Sequence, residues 1–211
     1  MFSAEIYDKR RKTLAEGIDD GLILLMGNSQ LPMNYPSNYL RFRQDSNFLY
    51  YCGLDHPGLN MIIDSNSGES MLFADDLTVQ DIVWEGERTS VSEMAETSGI
   101  QRVFSSEKLS SYLLKSNPIH FLPLYREDQE MFLQSLLNSS KTDASKSLIM
   151  KVISQRSIKT ENELEEIESA LDVTAEMHKI AMRQTGDGIS EQKIVGKIEG
   201  YALENGRRLA Y

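Results

Sequence analysis

Short, continuous apolar runs that end at turn residues mark the first two thirds of the chain. Residues 22–26 read Leu-Ile-Leu-Leu-Met before Gly27, a pattern that predicts a strand buried on both faces. Residues 60–63 and 70–73 flank an Asp-Ser-Asn-Ser-Gly cluster, which is typical of a β-hairpin. Apolar composition also predicts strands over 47–52, 101–104 and 119–122.

Helical spacing of apolar residues appears between these runs and predicts helices over 3–18, 78–84, 106–115 and 127–137. Strands that alternate with helices predict an α/β fold in which helices cover a sheet. The polar stretch 138–145 is suited to a linker. We therefore expect a first domain over 1–143, followed by a linker over 144–159.

The last third of the chain has the pattern of two amphipathic helices. Thr160 and Glu163 form a Thr-x-x-Glu capping box ahead of a long helix that ends near Gly186. Ser190 caps a second helix that stops near Gly206. Two helices cannot bury both of their apolar stripes without a partner surface, so we expect 160–211 to be the start of an incomplete domain.

Composition and charge exclude several classes of partner. The 211 residues carry a formal net charge of −10, which argues against nucleic acid, because phosphate binding requires clustered Lys and Arg. No apolar run reaches the length of a membrane-spanning helix. The polar N-terminus and the single cysteine, Cys52, indicate a cytoplasmic protein without an internal disulfide.

The chain has no assembled catalytic motif. It contains neither a phosphate-binding glycine pattern nor Gly-x-Ser-x-Gly. His56, His120 and His178 are far apart and none has metal-ligand spacing, so packing is favoured over ligation. Cys52 follows aromatic residues and is expected in the core rather than as a nucleophile. The carboxylates at 75–76 are expected to cap a helix.

One stretch, 35–48, concentrates aromatic rings, two arginines, an Asp, a Gln and two Asn between predicted strands. We interpret it as a functional or interface segment. The structural alternative is that Arg43 and Asp45 simply pair at the start of a strand. Trp84, the only tryptophan, is open to two interpretations, packing at a helix end or an exposed contact role.

Residues 39–53, with Phe42-Arg43-Gln44-Asp45-Ser46-Asn47-Phe48 at their centre, resemble the N-terminal domain of aminopeptidase P, in the creatinase and prolidase group. The segments 7–14, 76–86 and 153–182 fit the same family, and 158–164 resembles its linker into the catalytic domain. The resemblance implies a mixed α/β sheet domain flanked by helices. After it would come the first two helices of a truncated pitta-bread catalytic domain.

This resemblance also implies a function. The whole protein would be a Xaa-Pro aminopeptidase that removes the N-terminal residue before proline, with two divalent metals, typically manganese. None of the family's metal ligands matches a residue of this chain, so the chain alone is expected to bind no cofactor and to be inactive. Its substrates would be peptides with proline at the second position.

In this family the N-terminal domain builds a homo-oligomer and lines the entrance to a catalytic site. The resemblance therefore implies substrate-proximal or interface roles for Asn38, Tyr39, Arg43, Asp45 and Trp84. Two alternatives stay open: a standalone, non-catalytic binding or assembly module, and part of a prolidase that cleaves Xaa-Pro dipeptides. A complete novel hydrolase would need a site that three scattered histidines and one cysteine do not form.

Overall fold

The computed structural model describes residues 2–115, 118–138 and 143–209, and these form two compact units, Met1–Ser157 and Ile158–Tyr211. The strands of the first unit are β1 (Leu22–Met26), β2 (Asn60–Asp64), β3 (Ser70–Phe73), β4 (Arg102–Phe104) and β5 (Ile119–Phe121). Its helices are α1 (Ala4–Ala15), α2 (Ser46–Cys52), α3 (Val79–Glu85), α4 (Val91–Thr97), α5 (Lys108–Leu113), α6 (Glu127–Leu137) and α7 (Lys146–Ser157).

The five strands make one mixed sheet in the order β4-β3-β2-β1-β5. β2 pairs antiparallel with β1 and β3, while β5 and β4 add in parallel at the two edges. In the central register Leu24 pairs with Ile62 on one side and Phe121 on the other. The predicted hairpin at 60–73 and the mixed sheet implied by the family resemblance are confirmed.

Helices cover both faces of the sheet, which is why β1 is buried along its whole length. Ile23 and Leu25 face a layer built from α1, α2, α4 and α7. Leu24 faces the opposite layer, built from α5 and α6. The first unit is thus a three-layer sandwich with a hydrophobic core on each side of the sheet.

Helix α1 buries a cation as well as apolar residues. Its inward face follows helical spacing and consists of Tyr7, Arg10, Arg11, Leu14 and Ala15. Arg11 is fully buried, and its guanidinium donates to the carbonyl oxygens of Tyr51 at 2.9 Å and Ser98 at 2.8 Å. These carbonyls lie at the ends of α2 and α4, so one side chain donates hydrogen bonds to the C-terminal carbonyls of two helices.

Two predictions about this unit need correction. Residues 47–52, predicted as a strand, form helix α2, because Asp45 caps its N-terminus and Gly53 ends it in a left-handed conformation, φ 76°. The segment 144–159, predicted as a linker, is mostly helix α7, whose Leu148 and Val152 are buried in the core. Residues 139–142 of the predicted linker region lie outside the described residues.

The second unit consists of helices α8 (Glu161–Gln184) and α9 (Glu191–Glu204), as predicted. The capping box is present, with the Thr160 amide donating to the Glu163 carboxylate at 3.0 Å. No described residue of α8 is buried. Its apolar positions stay exposed at Leu164, Ile167, Leu171 and Met182. Within the described ranges, no helix is both long enough and apolar enough to cross a membrane.

Candidate functional site: two grooves beside the 28–44 loop

The site begins with a loop, residues 28–44, that connects β1 to α2. Buried Gln44 anchors both of its ends, since its Oε1 accepts from the Asn28 amide at 2.6 Å and from the Asp45 amide at 2.9 Å. The Gln44 Nε2 donates to the His56 carbonyl at 2.7 Å. A second tie comes from α6, where Gln129 Nε2 donates to Asn28 Oδ1 at 2.9 Å. Neither glutamine was predicted as a site residue from the sequence.

The outer part of this loop folds back on itself. Pro32 and Tyr39 form an isolated antiparallel bridge, and the Leu40 amide donates to the Leu31 carbonyl at 2.8 Å. Asn38 lies at the exposed turn between these arms, where its Nδ2 donates to Asn34 Oδ1 at 2.8 Å. The loop therefore holds Tyr39 and the residues after it against the body of the domain, while Asn38 stabilises the turn itself.

A wide groove, called here the large groove, brings two predicted site residues together. It has a volume of about 1130 Å³. Tyr39 lines one part of it and Trp84 another, although they come from different elements. Its lining residues are Gln30, Ser37, Tyr39, Phe42, His56, Pro57, Leu77, Gln80, Asp81, Trp84 and Arg88. The lining thus combines aromatic surface with amide, carboxylate and guanidinium groups, a composition suited to a peptide.

Trp84 is presented by the short helix α3. A capping box between Thr78 and Asp81 begins this helix, and hydrogen bonds from Thr78 lower the pKa of the Asp81 carboxyl. Gly86 ends it with φ 84°. Trp84 is 81% exposed and Val83 is 74% exposed, so the first unit displays a large apolar surface at this edge of the groove. This exposure argues against packing of Trp84 in the core, while its contact role stays a prediction.

A second groove, called here the arginine groove, contains the other two predicted charged residues, Arg43 and Asp45. It has a volume of about 310 Å³. Its lining residues are Asn28, Ser29, Leu31, Leu40, Arg41, Phe42, Arg43, Gln44, Asp45, Tyr125, Arg126 and Gln129. Phe42 lines both grooves, so the two share a wall.

Arg43 and Asp45 do not pair at a strand start, which corrects the structural alternative for this stretch. The Asp45 carboxylate instead accepts from the Asn47 amide at 2.8 Å and the Phe48 amide at 2.9 Å. These bonds make Asp45 the N-cap of α2. Arg43 is exposed, and its carbonyl accepts from Asn28 Nδ2 at 2.7 Å.

The groups expected to be structural are confirmed as such where the structure describes their contacts. Burial raises the pKa of the Cys52 thiol to about 11, which makes it a poor nucleophile. His120 Nδ1 lies 2.9 Å from the Ser145 hydroxyl. The carboxylates at 75–76 cap helices other than α3. Asp76 accepts from the Val91 amide at the start of α4, and Asp75 from the Ser106 amide before α5.

A metal centre does not fit the side chains present. Across residues 2–115, 118–138 and 143–209, no three His, Cys, Asp or Glu groups lie together in a way that could hold a metal ion. His178 is exposed on α8 rather than packed, and His56 lines the large groove alone among the histidines. We therefore derive no chemical step through a metal from these residues.

The first unit is thus a three-layer α/β domain with a tethered loop and two adjoining grooves. The sequence pattern of the family described as "Aminopeptidase P, N-terminal domain" matches residues 7–119. The chain belongs to this family. The match includes the 28–44 loop, Trp84 and four of the five strands, together with the first residue of β5.

Similar proteins and structures agree with this assignment. The chain is 24% identical over 190 residues to the human Xaa-Pro dipeptidase, covering 88% of the chain and 38% of the relative. It is 25% identical over 171 residues to a probable Xaa-Pro aminopeptidase of Aspergillus fumigatus, covering 79% and 36%. The solved structure of Escherichia coli aminopeptidase P shares its fold, with a TM-score of 0.83 at 18% identity.

The chain spans only part of the length of these proteins. The alignment with the Escherichia coli structure covers 98% of this chain and 50% of that chain. A structure of aminopeptidase PepP from Pseudomonas aeruginosa gives the same TM-score, 0.83, and the same 50% coverage, at 20% identity.

Proposed function

We propose that this chain is the substrate-access and assembly part of a Xaa-Pro aminopeptidase, an enzyme that removes an N-terminal residue preceding proline. The observation that carries the proposal is the large groove, whose aromatic walls, Tyr39 and Trp84, lie in the segments that resemble the family. An exposed tryptophan in the same groove as Tyr39 offers flat apolar faces on which a proline ring can pack. Asn38 supports the loop that carries Tyr39, and Asp45 orders α2 beside the arginine groove.

The chemistry of bond cleavage would lie elsewhere in the natural protein. Family membership supports two divalent metals, with manganese as our proposal, held outside the described residues of this chain. We further propose a homo-oligomer in which each large groove borders a catalytic site. Sedimentation equilibrium of the natural protein tests this, and a monomer at micromolar concentration would contradict it. A standalone, non-catalytic binding or assembly module is the alternative, which an inactive natural protein that forms stable oligomers would favour.

The Trp84 side chain should matter for substrate use rather than for folding, because it is 81% exposed. In the full-length natural protein, Trp84→Ala is expected to lower kcat/KM for a Xaa-Pro-Yaa tripeptide by about tenfold or more, mainly through KM, as expected for loss of an aromatic contact. Steady-state kinetics on the tripeptide and on the matching Xaa-Pro dipeptide measure this. A preference for the tripeptide supports an aminopeptidase over a dipeptidase.

The matched control is Met150→Ala on α7, since Met150 is also exposed but does not line the large groove. The unfolding temperatures of both variants should lie within a few degrees of that of the unmodified protein, because exposed side chains contribute little to stability. Equal kinetics for Trp84→Ala and Met150→Ala would remove Trp84 from the proposed substrate path.

A further inference from the structure

The arginine groove is positively charged in a chain whose formal net charge is −10. Three arginines line it, Arg41, Arg43 and Arg126, against a single carboxylate, that of Asp45. Such a patch attracts an anionic partner at short range. The remainder of the chain is acidic, so an anion is favoured at this groove over the rest of the surface.

Two of the three guanidinium charges have no partner among the residues that the structure describes. Arg126 Nη2 lies 2.7 Å from Asp128 Oδ2 and 3.2 Å from the Ser29 hydroxyl, so its charge is neutralised and its position fixed. The Asp45 carboxylate is already occupied by the amides that begin α2. Among the described residues, the side chains of Arg41 and Arg43 make no hydrogen bond and no ion pair.

The backbone beside these arginines is also unpaired. Before this segment, the last backbone hydrogen bond of the loop runs from the Leu40 amide to the Leu31 carbonyl. After it, the next bonded backbone group is the Arg43 carbonyl, which accepts from Asn28 Nδ2. Between these points the amides of Arg41, Phe42 and Arg43 find no acceptor, and the Arg41 and Phe42 carbonyls find no donor, in the described part of the chain. An anion such as phosphate supplies acceptors only, whereas a peptide backbone supplies donors and acceptors in alternation.

We propose that the arginine groove binds a non-helical, acidic peptide segment. Its backbone pairs with residues 41–43, and its carboxylates bind the guanidinium groups of Arg41 and Arg43. Tyr125, which lines the same groove and is 89% exposed, packs against the apolar parts of the segment. The acidic helix α8 of a second copy is disfavoured as the occupant, because its backbone is paired within the helix.

The test uses the 211-residue chain and the peptide Gly-Glu-Thr-Glu-Thr-Glu-Gly-amide, labelled with fluorescein at its N-terminus, followed by fluorescence polarisation. A matched peptide with Gln in place of each Glu is expected to bind about tenfold more weakly or worse, because charge-assisted hydrogen bonds are lost. The double variant Arg41→Gln with Arg43→Gln should weaken binding of the acidic peptide about tenfold or more. Affinity should also fall as salt is raised.

The control is the double variant Arg183→Gln with Arg208→Gln, which removes the same charge from exposed positions of the second unit. It should bind the acidic peptide within about twofold of the unmodified chain, because neither side chain lines the arginine groove and exposed charges are screened by salt. Circular dichroism melting verifies that both double variants fold, as expected for exposed side chains.

Three outcomes would overturn the proposal. The first is equal binding of the Glu and Gln peptides. The second is that inorganic phosphate displaces the labelled acidic peptide as effectively, at equal concentration, as the unlabelled acidic peptide does. That result would make the groove a simple anion site. The third is self-association that only the Arg41/Arg43 double variant abolishes, which would assign the groove to a second copy of the chain. Each is measured on the same samples, by polarisation or by sedimentation.

Discussion

Replacing Arg11 by alanine is expected to lower the free energy of unfolding of the first unit by about 3–5 kcal/mol. The fully buried guanidinium binds four acceptors: the Tyr51 carbonyl, the Ser98 hydroxyl and the carbonyls of Ser98 and Gly99. Truncation leaves these groups unsatisfied at the ends of α2 and α4 and opens a cavity between helices. Burial lowers the pKa of Arg11, but the side chain remains charged at neutral pH.

Urea denaturation followed by circular dichroism measures this loss. Lys12→Ala is the control, since Lys12 is the exposed neighbour whose only described ion pair is with Asp8 at 2.8 Å. That substitution should cost less than about 0.5 kcal/mol. Arg11→Met restores most of the volume without the hydrogen bonds, so its stability should lie between those of Arg11→Ala and the unmodified chain. A loss below about 1 kcal/mol for Arg11→Ala would show that this network contributes little.

Replacing Gln44 by leucine should have the next largest effect, lowering the free energy of unfolding by about 2–4 kcal/mol. The change leaves the Asn28 and Asp45 amides and the His56 carbonyl without their buried partner. Because Gln44 ties both ends of the 28–44 loop, the loss should also loosen the walls of both grooves.

Hydrogen exchange at the Asn28 and Asp45 amides reports the local effect, and urea denaturation reports the global one. Gln30→Leu is the matched control, because Gln30 lies in the same loop, is only half-buried, and makes one hydrogen bond, to the Leu40 carbonyl at 3.1 Å. Faster exchange at Asn28 and Asp45 in Gln44→Leu alone is expected. Unchanged protection of both amides would contradict the anchoring role.

The sheet could be predicted from the sequence because its strands are short apolar runs that end at turn residues. Strand β1 matches the predicted 22–26 at both ends, and α6 matches 127–137. Helix α2 was wrongly predicted as a strand, since Phe48, Tyr50 and Tyr51 favour strands by intrinsic preference. Asp45 as an N-cap and Gly53 as a C-cap are the signals that identify the helix. Helix α4 was missed, although Ser90 and Glu93 form a capping box.

The candidate site is less accessible to sequence reasoning, because its residues meet only through the fold. The grouping of Tyr39 with Trp84 in one groove, and of Arg43 with Asp45 in the other, depends on how the loop folds back. Gln44 belongs to the motif at residues 42–48 that resembles the family. Its anchoring role could not be predicted, because that role depends on where the fold places Asn28 and His56. The substrate-proximal roles of the five predicted residues stay predictions.

We propose that this chain supplies the walls of a peptide path, with the groups that cleave the bond outside its described residues. The most direct test of this proposal is hydrolysis of a Xaa-Pro-Yaa tripeptide by the purified 211-residue chain in excess manganese, with the full-length natural protein as the positive control. Release of the N-terminal residue is followed by mass spectrometry. We expect no turnover above the metal-only blank. Turnover that rises with metal and survives repurification of the chain would contradict the proposal.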